Sequence, residues 1–175
     1  HYMREEEPGF RPSRPAAPWS ATITLLIVLG VVFVLQIASG GRGNRAVEAE
    51  FGLSLAGIYD LKLWQLLTFQ FLHGGLLHIL LNGVALYSFG RAMERELGRV
   101  RFLLLYFISG TVGGMLQVFA VWLLNQNPYV PAVGASAGIS GLLGAFILSY
   151  PDARLLILPI PFPIRAWTLL WIVLP

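Results

Sequence analysis

Long apolar runs without charged residues constrain this sequence most. The first, Ala21–Ser39, carries no charge, and about 20 mostly apolar residues are enough for a helix to cross a bilayer. Helices are the expected spanning form, because the runs do not alternate with a period of two as barrel strands do. The sequence therefore predicts an all-α, multi-pass membrane protein. The other predicted spans are about Gly75–Gly90, Phe102–Leu124, about Val133–Tyr150, and a fifth that begins near Ile164.

The few charged residues indicate membrane topology rather than nucleic-acid binding. Only 12% of the residues are charged, about half of the ~25% of soluble proteins. No basic stripe interleaved with aromatic residues occurs, so no nucleic-acid partner is expected. The chain has no cysteine, which excludes disulfides and thiolate metal sites.

Arginine and lysine are distributed unequally between the two sides of the predicted bundle. Three cations fall on one side and nine on the other, and the positive-inside rule predicts that the richer side, with the N-terminus, is cytoplasmic. The three are Arg42, Arg45 and Lys62; the nine are Arg4, Arg11, Arg14, Arg91, Arg95, Arg99, Arg101, Arg154 and Arg165.

The chain divides into a polar tail, residues 1–20, and one membrane domain, residues 21–175. His1 and Tyr2 precede Met3 and are interpreted as a cloning remnant, and no cleavable signal peptide is apparent. The fifth run is cut off at Pro175, so the domain is expected to be incomplete at its C-terminus. In the first long loop, LKLWQLLTFQFL is too short to span and predicts an interfacial helix anchored by Trp64.

Three polar residues in and beside the second run are candidate site residues. His78 and Asn82 are four residues apart and share a helix face. Both can donate a hydrogen bond to an oxyanion, although hydrogen bonds between helices explain them as well. His73, in the loop before them, either caps, bonds within the loop, or donates to a bound carbonyl. A metal site is not favoured, because no third ligand is near in the sequence.

The fourth run is rich in small residues, which let helices approach closely in lipid. Ser136 opens this run after a polar loop that contains proline. A serine there can attack a carbonyl while its own backbone N–H holds the oxyanion. The alternative is a plain N-cap. Residues 134–138 also fit G-x-S-x-G, but that hydrolase motif needs a preceding strand in an α/β sheet, so we reject it here.

Taken together, these motifs resemble the rhomboid family of intramembrane serine proteases. The matching strings, from about Trp64 to Gly144, are HGGLLHILLNGVALYSFG, MERELGRVRFLLLYFISG and VGASAGISGLLGA. The resemblance implies a six-helix bundle, with five spans present here, whose central short helix carries the nucleophile Ser136. His78, Asn82 and the Ser136 backbone N–H would then form the oxyanion hole.

Further roles follow from the same resemblance. Gly134 matches a glycine that allows close backbone approach, His73 supports the oxyanion site, and Glu94 matches a structural acidic residue after the second helix. Trp167 and Trp171 of the fifth helix border substrate entry or act as interfacial anchors. The implied activity is endoproteolysis of transmembrane proteins in a bacterial inner membrane, without metal or cofactor.

Three departures from the family pattern bear on activity. Ala137 replaces the usual glycine after the serine, and Ser140 replaces an aromatic residue. The family's general base is a histidine on a sixth helix that this sequence does not contain, so the chain alone is expected to be inactive. The alternative is a non-catalytic rhomboid-like protein that binds transmembrane clients. A transporter is disfavoured because no inverted repeat is visible.

Overall fold

The computed structural model describes residues 19–40, 45–155, 164–166 and 168. Helices dominate this part of the chain, so the predicted all-α class is confirmed. They are α1 (Ala21–Ala38), α2 (Arg45–Phe51), α3 (Leu55–Tyr59), α4 (Gln65–Thr68), α5 (Leu76–Ala85), α6 (Arg91–Leu97), α7 (Arg99–Leu123) and α8 (Ser136–Ser149). A 3₁₀ turn follows α4 at Phe69–Phe71, and a π-helical turn at Leu86–Gly90 joins α5 to α6.

Three stretches of the described chain are long and apolar enough to cross a membrane. They are α1, the continuous helix Leu76–Leu97 made of α5, the π turn and α6, and α7. The prediction that the second span ends at Gly90 is wrong, because the helix continues for seven more residues. Its charged last turns looked like loop in the sequence, yet they contact the start of α1.

The fourth predicted span is a shorter helix than expected. Residues 133–135 precede α8 in non-helical backbone, and the helix itself has 14 residues. Only the first residues of the fifth predicted span are described, and they form β2 (Ile164–Arg165), paired antiparallel with β1 (Arg154–Leu155). Trp167 and Trp171 lie outside the described residues, as does most of the rest of that span, so the count of five spans stays a prediction.

The segment predicted as one interfacial helix is broken into short turns. Leu61 has a positive φ of 59°, and α4 contributes four residues before the 3₁₀ turn. Trp64 Nε1 donates to the Glu50 carbonyl at 2.9 Å, which ties the segment to the end of α2. Gln65 and Phe69 point inward and are buried, so this segment is a covering loop packed on α7.

The core lies where α1, the α5–α6 helix, α7 and α8 meet. Close packing of α7 on α8 rests on the small residues noted in the sequence. A Cβ added at Gly138 would lie 2.8 Å from the Tyr106 carbonyl oxygen, and one at Gly113 would lie 2.9 Å from the Ala137 Cβ. Buried core residues include Leu25, Leu29, Leu86, Met93, Phe102, Tyr106, Ile139 and Leu142.

Glu94 joins the end of the second spanning helix to the beginning of the first. Its carboxylate accepts hydrogen bonds from Ser20 Oγ at 2.6 Å and from the Ala21 backbone N–H at 2.6 Å. Thr22 donates from its backbone at 3.0 Å and from its hydroxyl at 2.8 Å. The carboxylate therefore satisfies N–H groups that a helix start leaves unpaired, and its charge suits the positive end of the helix dipole.

Candidate active site

Ser136 is the first helical residue of α8 and lies on an open face. Ala135 occupies the N-cap position, and no side chain caps the helix there, so the interpretation of Ser136 as an N-cap is wrong. The Ser136 side chain is exposed, and within the described part of the chain its Oγ has no hydrogen-bond partner. Its backbone N–H, at the first turn, needs no acceptor inside the helix.

Gly134 lies close to both the Ser136 side chain and the His78 ring. Its φ of +128° is one that side-chain-bearing residues rarely adopt. A Cβ added there would lie 2.8 Å from both Nε2 and Cε1 of His78 and 3.8 Å from Ser136 Oγ. The Gly134 N–H donates to the Phe69 carbonyl at 2.9 Å. The loop before α8 is thereby fixed against the 3₁₀ turn, with serine and imidazole around one glycine.

The His78 ring presents a donor toward this point. The Gly74 backbone N–H donates to His78 Nδ1 at 3.4 Å. A nitrogen that accepts a hydrogen bond carries no proton, so the proton of the neutral ring is on Nε2. That Nε2 edge is the one nearest Gly134. The ring is half-buried, which leaves its N–H open to a bound oxygen.

Asn82 lies one turn further along α5, on the face predicted from the sequence. Its Nδ2 donates to the His78 carbonyl at 2.9 Å, and the residue is buried. This bond uses one of the two amide protons, so one remains for another acceptor. Asn82 thus lies one helical turn after His78 and is hydrogen-bonded to the His78 backbone.

His73 is buried in the loop before α5 and lies next to the His78 ring. Its Nδ1 is 3.3 Å from the Phe71 carbonyl, and its ring contacts His78 edgewise with centroids 5.2 Å apart. Burial, and next the neighbouring imidazole of His78, lower the pKa of His73 from 6.5 to about 4. His73 is therefore neutral near pH 7. It affects the site by packing its ring against His78 and not by an electric charge.

Gln36 in α1 is a site-related residue that the sequence reasoning missed. Its amide pairs with the backbone of His73: Nε2 donates to the carbonyl at 3.0 Å, and Oε1 accepts the N–H at 3.1 Å. The available signal was a single amide side chain in an otherwise apolar, uncharged run.

Two departures from the family pattern have visible structural consequences. Ala137 packs against the bare backbone of Gly113, so the methyl group is accommodated on α7. The Ser140 hydroxyl donates a hydrogen bond to the Ser136 carbonyl at 2.9 Å. Within the described ranges, no imidazole or carboxylate is bonded to Ser136, and no group of three or more metal-binding side chains occurs.

A cavity of about 180 Å³ lies away from this site. It opens between α7 and the loops that flank it, and neither Ser136 nor His78 lines it. The lining residues are Leu53, Ser54, Leu55, Gln117, Val118, Val121, Gln126, Asn127, Val130, Pro131 and Ala132.

The arrangement holds a serine hydroxyl, a free helix-start N–H and an imidazole N–H around one glycine. Such a group can form a bond to a carbonyl carbon and hold the resulting oxyanion. The general base that would take the serine proton is not among the described residues.

Comparison with known proteins places this chain in a family. Residues 60–175 match the Rhomboid domain. The chain is 39% identical over 127 residues to Rhomboid protease GluP of Bacillus subtilis, which covers 70% of this chain and 23% of that protein. It is 37% identical over 91 residues to Putative rhomboid protease YdcA of the same organism, covering 52% and 43%.

A further relative carries a different description. Inactive RHOMBOID-like protein 8 of Arabidopsis thaliana is 34% identical over 108 residues, covering 61% of this chain and 29% of that protein. The chain spans less than half the length of each of these three relatives. The chain therefore resembles two proteins that are named as proteases and one that is named as inactive. From the match over residues 60–175, the chain belongs to the rhomboid family.

Proposed function

We propose that this chain supplies the nucleophile and oxyanion hole of an intramembrane serine endopeptidase that cleaves transmembrane proteins. The supporting observation is the surroundings of Gly134, where a Cβ would lie 2.8 Å from His78 Nε2 and 3.8 Å from Ser136 Oγ. We call this region the Gly134 junction. Ser136 is the nucleophile. Its backbone N–H and the Nε2–H of His78 are the oxyanion donors, and Asn82 supplies its remaining amide proton.

The proposed reaction has two halves. Ser136 Oγ forms a bond to the scissile carbonyl carbon while a base takes its proton, and the carbonyl oxygen becomes the held oxyanion. Collapse breaks the C–N bond, and the amine leaves with that proton. Water then attacks the acyl ester and regenerates the serine. The base is the histidine that the family carries on its sixth helix.

The test is labelling with a serine-directed fluorophosphonate, in detergent and in vesicles. The protein extended through the next span should be labelled, its Ser136→Ala variant should not, and the 175-residue chain should be labelled far more slowly. Because the loss of one oxyanion donor typically costs about 10²–10³ in rate, His78→Ala should slow labelling by a similar factor. Equal labelling of the serine and alanine forms contradicts the proposal.

A second candidate function is binding of transmembrane clients without cleavage. The free Ser136 hydroxyl in the described chain and the relative named as inactive favour it. A binder would retain a client helix equally well with Ser136 or with alanine, and neither protein would react with fluorophosphonate. The extended protein therefore separates the two functions in one labelling experiment.

A further inference from the structure

Gln36 is a buried amide in α1, a helix that is long and apolar enough to cross a membrane. It is 5% exposed, and it lies in the last turns of α1, where the remaining residues are chiefly apolar. An unpaired amide in such surroundings costs free energy. Both of its polar atoms are paired, and both pair with the backbone of one residue, His73, at 3.0 Å and 3.1 Å.

The residue that Gln36 holds controls two contacts of His78. The next backbone N–H along the chain, from Gly74, donates to His78 Nδ1 at 3.4 Å. The His73 ring itself meets the His78 ring edgewise, with an interplanar angle of 67° and 5.2 Å between centroids. The first contact places a donor at Nδ1, which favours the proton on Nε2, and the second packs the two rings against each other.

We propose that Gln36 is a positioning residue for catalysis: by pairing with the His73 backbone it holds Gly74 and His73 so that His78 aims Nε2–H at the oxyanion. This inference rests on the proposed function. Preorganised donors lose most of their effect when displaced, because their value lies in fixed geometry. The hydrogen bonds of Gln36 in the described chain go to His73 and not to Ser136, so we assign its effect to His78.

The first test compares two α1 variants in the extended protein. Gln36→Leu removes both bonds to His73. Thr22→Val is the matched control: it removes a buried hydroxyl and its bond to Glu94, at a distance of about 21 Å along the same helix. We expect Gln36→Leu to lower kcat about tenfold or more with little change in KM. Thr22→Val should lower thermal stability and leave kcat of the folded protein unchanged.

The second test uses the conservative variant Gln36→Glu as a titratable substitute. A protonated carboxyl can donate to the His73 carbonyl and accept from its N–H, as the amide does, whereas the ionised carboxylate loses the donor. The ratio of its kcat to that of the natural protein should therefore rise toward one as the pH falls. For Gln36→Leu the same ratio should stay constant with pH.

A third readout needs no activity. In protein labelled with ¹⁵N-histidine, His78 should show an unprotonated Nδ1 and a protonated Nε2, and Gln36→Leu should shift it to a mixture of both forms. Unchanged histidine spectra, or a kcat for Gln36→Leu equal to that of Thr22→Val, would overturn the positioning role. If the natural extended protein shows no Ser136-dependent cleavage, the proposed function fails instead, and the spectra still decide the role of Gln36.

Discussion

At Gly134, a single residue limits how closely the His78 ring can approach the loop that leads into Ser136. Its φ of +128° and its contact with His78 both exclude a side chain. Gly134→Ala would place a methyl group 2.8 Å from Nε2, so the ring or the loop has to move. We expect fluorophosphonate labelling of Ser136 in the extended protein to fall by about tenfold or more, as when an oxyanion donor is displaced.

The matched control for that substitution is Gly144→Ala in α8. No atom lies within 4 Å of a Cβ added at Gly144, and alanine is favoured over glycine in a helix by about 1 kcal/mol. Gly144→Ala should therefore retain the labelling rate and match or exceed the natural stability. If Gly134→Ala is labelled at the natural rate, the close approach of His78 to this glycine is not needed for the reaction of Ser136.

His73 gives a prediction for the dependence of stability on pH. Its pKa is about 4 in the folded protein, below the ordinary 6.5, so the unfolded chain binds the proton first as pH falls. The free energy of unfolding should be unaffected by this group above pH 6.5 and should decrease between pH 6.5 and 4, by up to about 3 kcal/mol. Denaturant titrations in micelles across that window measure the decrease.

The comparison variant for this pH effect is His73→Asn, which cannot take up the proton. Its overall stability will be lower, but its free energy of unfolding should change less with pH between 6.5 and 5, where carboxylates contribute little. Parallel pH profiles for the two proteins would mean that His73 is not the group responsible.

Local spacing made some of these residues predictable and tertiary contact hid others. His78 and Asn82 are four residues apart, so their shared face follows from helix geometry alone. Gln36 is 37 residues from His73, and no rule of local spacing connects two residues so distant. Its polarity inside an apolar run marked it as unusual, but only the fold shows its partner.

At the scale of elements, the second spanning helix shows where sequence reasoning stops. The apolar run ends near Gly90, and charged residues follow, which normally indicate a loop. The structure continues the helix to Leu97 because the carboxylate of Glu94 is used by another element, the start of α1. A charge that is satisfied by a distant helix terminus cannot be distinguished in the sequence from one that is solvated.

Glu94→Ala should therefore destabilise the junction of two helices. It removes the acceptor of four hydrogen bonds and leaves the buried Thr22 hydroxyl and the first N–H groups of α1 without it. We expect the free energy of unfolding to fall by about 2 kcal/mol or more, since bonds to charged groups are the stronger ones. The measurement is a denaturant titration in mixed micelles.

Glu96→Ala is the control on the same helix. Glu96 is exposed and accepts from the Tyr150 hydroxyl at 2.8 Å, and surface changes of this kind usually alter stability by no more than about 0.5 kcal/mol. If the two alanine variants lose equal stability, the charge at the α1 terminus is not the source of the effect.

At the scale of the whole molecule, contacts divide the described chain into two ends. At one end Glu94 bonds the start of α1, the Arg99 guanidinium donates to the Trp19 carbonyl, and Tyr150 bonds Glu96. At the opposite end, Leu53 and Ala132 pair their backbones, near the site loops. The arginines of α6 and of the first turn of α7 thus lie at the end where α1 begins. This is the arrangement expected if successive spans cross the membrane in opposite directions.

The orientation of this bundle in the membrane can be tested with single cysteines, because the natural chain has none. The end that carries the arginines should be cytoplasmic by the positive-inside rule. We expect a membrane-impermeant maleimide to label Tyr129→Cys in intact spheroplasts, since Tyr129 is 77% exposed. Glu96→Cys, exposed at the other end, should be labelled only after permeabilisation. The reverse labelling pattern would contradict the predicted orientation and would put the end that carries the arginines on the extracytoplasmic side.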